Sequence, residues 1–248
     1  MKKKKRFLRI TVFTCLALLA GLFYLRKSSE KKEDLLKAER TAEAANRNIA
    51  YEEEPLEEEL LKQFQSVNSD VVMVLVYAYE DEKRVIPVVY TPSDPDYYFR
   101  RDLYGDSDSM GTVFIDDNSA PDAFNLILNG HSSKSRDTHF SFLKQFVDPL
   151  YFKEHDRLLL IDENGERLYE TVSFHEIDYE RERNVEHDFY RGDFSSMEAL
   201  DEALRKLDRY VINKRIIDTA YGDMLTLITC NMDKNDSRYI LIAREVNQ

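Results

Sequence analysis

Three residues of this chain have the side chains that a cysteine-dependent acyl transfer requires. Cys230 supplies a thiol, His131 can carry a proton, and Arg238 is a permanent cation. A cation near a thiol favours the thiolate, and a guanidinium can stabilise the oxyanion that forms on an attacked carbonyl. A cysteine nucleophile also needs a proton carrier, which is usually histidine. The residue types point to acyl transfer at Cys230; the competing interpretation is a buried, inert thiol at the end of a strand.

His131 is selected from five histidines by its position. It directly follows a predicted strand, in the turn 128–133, where a side chain is exposed and sites tend to be built. The other four stand in more polar or helical segments and are expected to be surface or packing residues: His139, His155, His175 and His187. The five contain no tight pair at metal-ligand spacing, so the sequence predicts no metal centre.

A hairpin is expected to bring Arg238 to Cys230. The apolar run 225–230 predicts a strand that ends at Cys230, and the next predicted strand opens with Arg238. If the polar segment 231–237 joins the two strands as a hairpin, Arg238 returns beside Cys230. The guanidinium would then lie near the thiol.

The strands that must position these residues are short β-branched or apolar runs separated by polar turns. They are predicted at 71–77, 84–90, 112–115, 124–128, 158–161, 167–177, 224–229 and 239–243. Many short strands with a few interrupting helices indicate a mainly β fold with added helices (α+β), built as an antiparallel or mixed barrel.

Three helices are predicted around these strands. The first follows Pro55 and is expected to pack against the domain through one apolar face. That face holds Leu56, Leu60, Leu61 and Phe64. A short helix is predicted at 140–146, and the longest at 196–212, where Ser195 and Glu198 form a capping box. The apolar stripe of the longest helix indicates core packing.

Composition and charge exclude several classes of protein. The 248 residues hold 47 acidic and 35 basic side chains, a net charge of −12 that argues against nucleic acid as a partner. Residues 1–27 nevertheless carry +8, which leaves −20 for the rest. Hydrophobic residues make up 43% of the chain, enough for a sizeable core, and two cysteines exclude a disulfide-dense scaffold.

The N-terminal segment is typical of a membrane anchor. A basic cluster precedes the apolar run 7–25, which is just long enough to cross a bilayer core as a helix. The predicted organisation is a cytoplasmic tail 1–6, a transmembrane anchor 7–25, a polar helical stalk 26–53 and an extracellular catalytic domain 54–248. The expected location is the cell membrane, crossed once. A cleaved signal peptide is the rival interpretation, although no small-residue cleavage site follows the run.

The order of these features resembles the sortases, the membrane-anchored cysteine transpeptidases of Gram-positive bacteria, and class B most closely. The resemblance covers about residues 60–245. Beyond the residues already discussed, it rests on the stretches 68–72, 86–89, 96–99 and 111–116. It implies a sortase-like eight-stranded β-barrel with N-terminal helices and a helix before the catalytic strand.

Some positions depart from the family pattern. Ser132 and Ser133 follow the Gly-His pair, where relatives usually have Asn or His and then Met. His139 stands in place of the Met of a common Met-Phe pair. Ile228 stands two positions before Cys230, where Ser or Thr is usual. These changes bear on substrate preference more than on the chemistry.

The resemblance also implies roles for individual residues. Cys230 would attack the scissile carbonyl of a sorting signal and form a thioacyl enzyme. His131 would protonate the leaving amine and later deprotonate the incoming one. Arg238 would bind the substrate and stabilise the oxyanion, together with the backbone N–H of Asn231. Further residues expected at the substrate or oxyanion site are Ile228, Thr229 and Ser132.

The implied function is cleavage of a C-terminal sorting signal of secreted proteins and transfer of the product to an amine acceptor. The acceptor would belong to a peptidoglycan precursor or a pilin, and the family uses no cofactor. Two alternatives stay open: a catalytically inactive, membrane-anchored binding or scaffold module, and another extracytoplasmic cysteine peptidase.

Overall fold

Nine strands form one sheet in the part of the chain that the structure, a computed structural model, describes: residues 56–79, 82–178, 190–216, 222–234 and 236–246. These residues belong to the unit Glu53–Gln248. The strands are β1 (Val71–Tyr79), β2 (Glu82–Val89), β3 (Val113–Ile115), β4 (Asn125–Asn129), β5 (Arg157–Asp162), β6 (Gly165–Asp178), β7 (Val211–Lys214), β8 (Met224–Cys230) and β9 (Ser237–Glu245).

The described helices lie between and before these strands. The α-helices are α1 (Leu56–Val67), α2 (Pro149–Glu154) and α3 (Met197–Leu207). Two 3₁₀ helices cover Ser141–Val147 and Asp208–Tyr210. Leu61 and Phe64 of α1 are buried, as expected for a helix that packs through one apolar face, and α1 contacts β1 and β5.

Eight of the nine strands close into a barrel. Their order is β5-β1-β2-β3-β4-β8-β9-β6, and a further pairing between β5 and β6 completes the ring. The pairs β2–β3 and β4–β8 are parallel and the rest of the ring is antiparallel. Strand β7 pairs with β6 outside the ring. The eight-stranded barrel with added helices, expected from the resemblance, is therefore confirmed.

Strands β8 and β9 are buried on both faces. Leu225 and Leu227 pack into a core cluster that receives side chains from all eight strands of the ring and is therefore its interior. Met224 and Ile228 pack into a second cluster, together with Leu200 of α3. Burial on both faces explains why the run before Cys230 is continuously apolar, with no polar alternation.

The long helix ends earlier than its sequence pattern predicts. It stops at Leu207, a 3₁₀ turn follows, and Val211, expected as the last residue of the helical stripe, instead begins β7 opposite His175. Ser196, not Ser195, caps the helix, because its Oγ accepts the backbone N–H of Ala199 at 3.2 Å. Strand pairing outcompetes the helical periodicity at this end.

The prediction of a single-pass membrane protein requires correction. Within the five described ranges given above, no helix is both long enough and apolar enough to cross a bilayer. The predicted tail, anchor and stalk, residues 1–53, lie outside the described residues.

Candidate active site

A cleft of about 300 Å³ lies where β4 and β8 end. Five of the residues expected at the site line this cleft: His131, Ile228, Thr229, Cys230 and Arg238. The other lining residues are Asp96, Phe99, Phe114, Asp116, Asp117, Asn129, Gly130 and Tyr190. The structure thus brings the three candidate catalytic side chains to one cleft.

Parallel pairing explains how His131 and Cys230 meet although they are far apart in sequence. β4 and β8 are parallel neighbours with Asn129 opposite Ile228, so both strands end at the same edge of the barrel. His131 comes two residues after Asn129, and Cys230 two residues after Ile228. The Gly130 N–H donates to the Ile228 carbonyl at 3.1 Å and extends the pairing towards the site.

The hairpin expected between β8 and β9 is present. Arg238 stands directly opposite Cys230 in the antiparallel ladder. Side chains of directly opposed residues lie on one face of a sheet with Cβ atoms about 4.5–5.5 Å apart. Arg238 Nη1 donates to the Ser237 carbonyl at 3.1 Å, and Cys230 is a half-buried free thiol. Strand register therefore places the side chains of Arg238 and Cys230 on the same face of the hairpin.

His131 is held by the segment that precedes β3. Its Nε2 lies 2.8 Å from the backbone oxygen of Phe99, and the two rings are 4.6 Å apart between centroids. The turn after His131 is closed by the Phe140 N–H, which donates to the His131 carbonyl at 3.2 Å. Gly130 makes room for this turn, since a Cβ there would lie 2.7 Å from the Phe140 ring. The imidazole is thus fixed by a backbone acceptor and an aromatic face.

Asn231, the residue after Cys230, makes hydrogen bonds to two strands. Its backbone N–H donates to the Ser237 carbonyl at 2.9 Å, within the hairpin. Its side-chain amide donates to Glu176 of β6 at 2.9 Å, and the residue is buried and is not among the residues that line the cleft. Its oxyanion role stays a prediction, since its backbone N–H is bonded to Ser237 in this structure.

The remaining two predicted residues differ in placement. Ser132 is half-buried and is not among the residues that line the cleft. Thr229 lines the cleft and is 3% exposed, and its hydroxyl has no hydrogen-bond partner in the part of the chain that the structure describes. Burying an unpartnered hydroxyl is unfavourable.

Asp116, a buried carboxylate that was not predicted as a site residue, lines the cleft. Asp116 directly follows β3 and accepts hydrogen bonds from Asn129 Nδ2 at 2.5 Å, from the Asn118 backbone at 2.9 Å and from the Tyr190 hydroxyl. Burial opposes its ionisation, but the bonds from Tyr190 and Asn118 outweigh burial and lower the pKa of the Asp116 carboxyl. The signal in the sequence was positional: Asp116 directly follows β3, and Asn129 is the last residue of its antiparallel partner β4.

His139, expected as a surface or packing residue, lies close to His131. Burial, and secondly the charge of His131, lower the pKa of the His139 ring. Its backbone has φ +44°, a left-handed conformation that is unfavourable for a residue with a Cβ. The one hint in the sequence was that His139 stands where the sortase family usually has Met.

One protein family and several solved structures are similar to this chain. The family described as Sortase domain matches residues 100–246. Sortase B of Clostridium perfringens has 23% identity and a TM-score of 0.63, covering 75% of this chain and 99% of that chain. The Staphylococcus aureus sortase B–substrate complex has 16% identity and a TM-score of 0.64, covering 87% and 94%. A sortase B complexed with triglycine has 17% identity and a TM-score of 0.64, covering 89% and 99%. Among curated proteins none matches the chain.

Proposed function

Because the chain belongs to the sortase family, we propose that it cleaves a C-terminal sorting signal of secreted proteins and joins the product to an amine. Cys230 is the nucleophile, His131 the proton carrier and Arg238 the oxyanion and substrate ligand. One observation carries the proposal: Arg238 stands opposite Cys230 in the β8–β9 ladder, and His131 lines the same cleft.

The proposed reaction has two halves that exchange one amide for another. The Cys230 thiolate attacks the scissile carbonyl carbon, and the C–N bond breaks as His131 gives its proton to the leaving amine. An incoming amine then attacks the thioester, loses a proton to His131 and releases the thiolate. The thioester divides one difficult exchange into two easier steps. The Arg238 guanidinium offers N–H donors to the oxyanion in each half.

The charge of the cleft supports binding of an amine acceptor. The carboxylates of Asp96 and Asp117 line the cleft and favour an acceptor that arrives as an ammonium, which gives one proton to solvent before the neutral amine attacks. A sortase B has been solved with triglycine; by analogy the acceptor here is a peptide amine of a peptidoglycan precursor or a pilin.

A panel of quenched peptides tests this function. The panel spans LPxTG-like and NPxTN-like signals, with and without triglycine, and compares the wild type with Cys230→Ala and His131→Ala. We expect cleavage by the wild type, a ligated product only with triglycine, and loss of both in the two variants. Cleavage that survives in Cys230→Ala would contradict the mechanism. No cleavage of any peptide, with a Cys230 that resists alkylation, would instead favour the inactive binding module.

A further inference from the structure

The contact between His131 and Phe99 determines which ring nitrogen holds a proton. Nε2 of His131 lies 2.8 Å from the Phe99 carbonyl oxygen. A carbonyl oxygen only accepts hydrogen bonds, so Nε2 must donate and therefore carries the proton when the ring is neutral. Nδ1 then keeps the free lone pair. The His131 ring also lies tilted against the Phe99 ring, with the two centroids 4.6 Å apart.

Gly111 allows its backbone to lie close to the Phe99 carbonyl. Gly111 has φ +60°, and a Cβ at that position would lie 2.5 Å from the Phe99 oxygen and 2.6 Å from the Tyr98 oxygen. The next residue along, Thr112, donates its N–H to the Tyr98 carbonyl at 3.0 Å. Both atoms in the way are backbone atoms, so any side chain at position 111 must displace the segment that carries the carbonyl.

Tyr98, the residue before Phe99, is anchored by two residues that lie just before β1. The Tyr98 hydroxyl donates to Asp70 at 2.8 Å and accepts from Asn68 at 2.6 Å, and Tyr98 is buried. The Phe99 carbonyl is consequently fixed between a buried anchor on one side and Gly111 on the other. Its position is therefore set by contacts within the chain.

We propose that Gly111 and the Phe99 carbonyl position His131 so that Nε2 stays protonated and Nδ1 is the nitrogen that exchanges protons with the leaving and incoming amines. The assignment of a proton-exchanging nitrogen rests on the proposed transpeptidase function. The assignment of the protonated nitrogen rests on the contact alone. Gly111 is a positioning residue in this account, because it acts on His131 only through the Phe99 carbonyl.

The tautomer of His131 can be measured without any substrate. A long-range ¹H–¹⁵N spectrum of the wild-type protein, assigned with His131→Gln, distinguishes the two neutral tautomers. We expect the Nε2–H form above the pH at which the ring becomes neutral. A neutral His131 that is protonated on Nδ1 would overturn the proposal, whatever the protein does to peptides.

Two glycine variants test the role of Gly111. Gly111→Ala introduces both backbone strain and the clash with Phe99. Gly105→Ala is the matched control, because Gly105 also has a positive φ, of +81°, but a Cβ there meets only the Tyr97 hydroxyl at 3.5 Å. We expect Gly111→Ala to mix the tautomers and to lower kcat/KM for a cleaved peptide about 10-fold or more relative to Gly105→Ala. A His131 tautomer and rate equal to the control would overturn the proposal.

The outcomes separate this inference from the proposed function. If Gly111→Ala does not fold, the wild-type spectrum still decides the assignment of the proton. If the wild type shows the Nε2–H tautomer but transfers no peptide, the contact is assigned correctly and the proposed transpeptidase function fails.

Discussion

In the proposed reaction, Arg238 acts through geometry that only a guanidinium provides. It faces Cys230 across the ladder, and its fork of N–H donors can hold a backbone carbonyl while another N–H bonds to Ser237. A lysine would supply the charge but a single rotatable group. The sequence predicted this pair correctly because a short hairpin leaves one register for the two residues. The oxyanion role of Asn231 stays a prediction, and the bond from its backbone N–H to Ser237 is not visible in residue types.

We predict that Arg238→Lys lowers kcat/KM about 100-fold while Cys230 is still alkylated in the folded protein. The physical reason is loss of the aligned donors, with the positive charge kept. Steady-state kinetics on a cleaved peptide and mass spectrometry of iodoacetamide adducts measure the two effects. Arg157→Lys, on the exposed start of β5, is the matched control and should leave the rate unchanged. An Arg238→Lys enzyme with the wild-type rate would refute the geometric role.

Asp116 is predicted to stabilise the fold through the groups that it satisfies. Asp116→Ala leaves Asn129 and Tyr190 without their acceptor and should lower the free energy of unfolding by about 2–3 kcal/mol. Because the folded pKa of this carboxyl is lowered, its contribution is present above the unfolded pKa and is lost as the pH falls through the folded pKa. Urea unfolding at neutral and acidic pH measures both effects. Asp117→Ala, at the exposed neighbour, should change stability far less; equal losses would contradict this account.

Among the elements, the strand pairs are more predictable than the ends of the helices. Runs of β-branched residues marked β1 and β2, and the pairing of β8 with β9 followed from one short polar turn. The end of α3 was not predictable, because Val211 suits both a helical stripe and a strand. Its partner, His175, lies in β6, and the contact between them arises only in the folded barrel. The contributions proposed for Phe99 and Gly111 were not predictable for the same reason, because Phe99 meets His131 only in the folded barrel.

His175 of β6 should make stability fall in mild acid. Burial lowers the pKa of His175 to about 4, against the effect of Asp208, while Lys214 lowers it further. The unfolded chain binds the proton near pH 6.5, so between about 6.5 and 4 the unfolded state holds more protons and stability falls as the pH falls. The loss should reach about 3 kcal/mol at most. Urea unfolding of wild type and His175→Gln from neutral pH to about 4 measures it. A variant that keeps the full pH dependence would contradict the assignment.

At the scale of the whole molecule, closure of the barrel is what brings the site together. The β5–β6 pairing completes a ring in which β4, β8 and β9 are consecutive, and these three strands carry or precede the catalytic candidates. The apolar runs of the sequence already predicted eight strands, but only the resemblance to a family predicted that they form one eight-stranded barrel. The parallel pairing of β4 with β8 could not be read from either strand, since it depends on the order of the entire ring.

The interior is predicted to depend on an aromatic cluster from the 3₁₀ helix. Phe146 is fully buried and contacts the rings of Tyr77, Phe142 and Phe174 at 5.9–6.3 Å between centroids. Phe146→Ala should lower the free energy of unfolding by about 3–5 kcal/mol, since a large cavity remains. Val147→Ala, one residue later and 42% exposed, should change it by less than about 1 kcal/mol. Denaturant unfolding of the pair measures the difference, and similar losses would place Phe146 outside the core.

If Cys230 is the nucleophile, it forms a thioester with a sorting peptide, and intact-protein mass spectrometry detects that adduct directly. The wild type is incubated with each cleaved peptide, quenched in acid and weighed, and the adduct is mapped by digestion. We predict an added mass equal to the acyl portion of the peptide, located on Cys230, discharged by triglycine and absent in Cys230→Ala. Peptide cleavage with the acyl group on another residue, or with an adduct that persists in Cys230→Ala, would contradict the account.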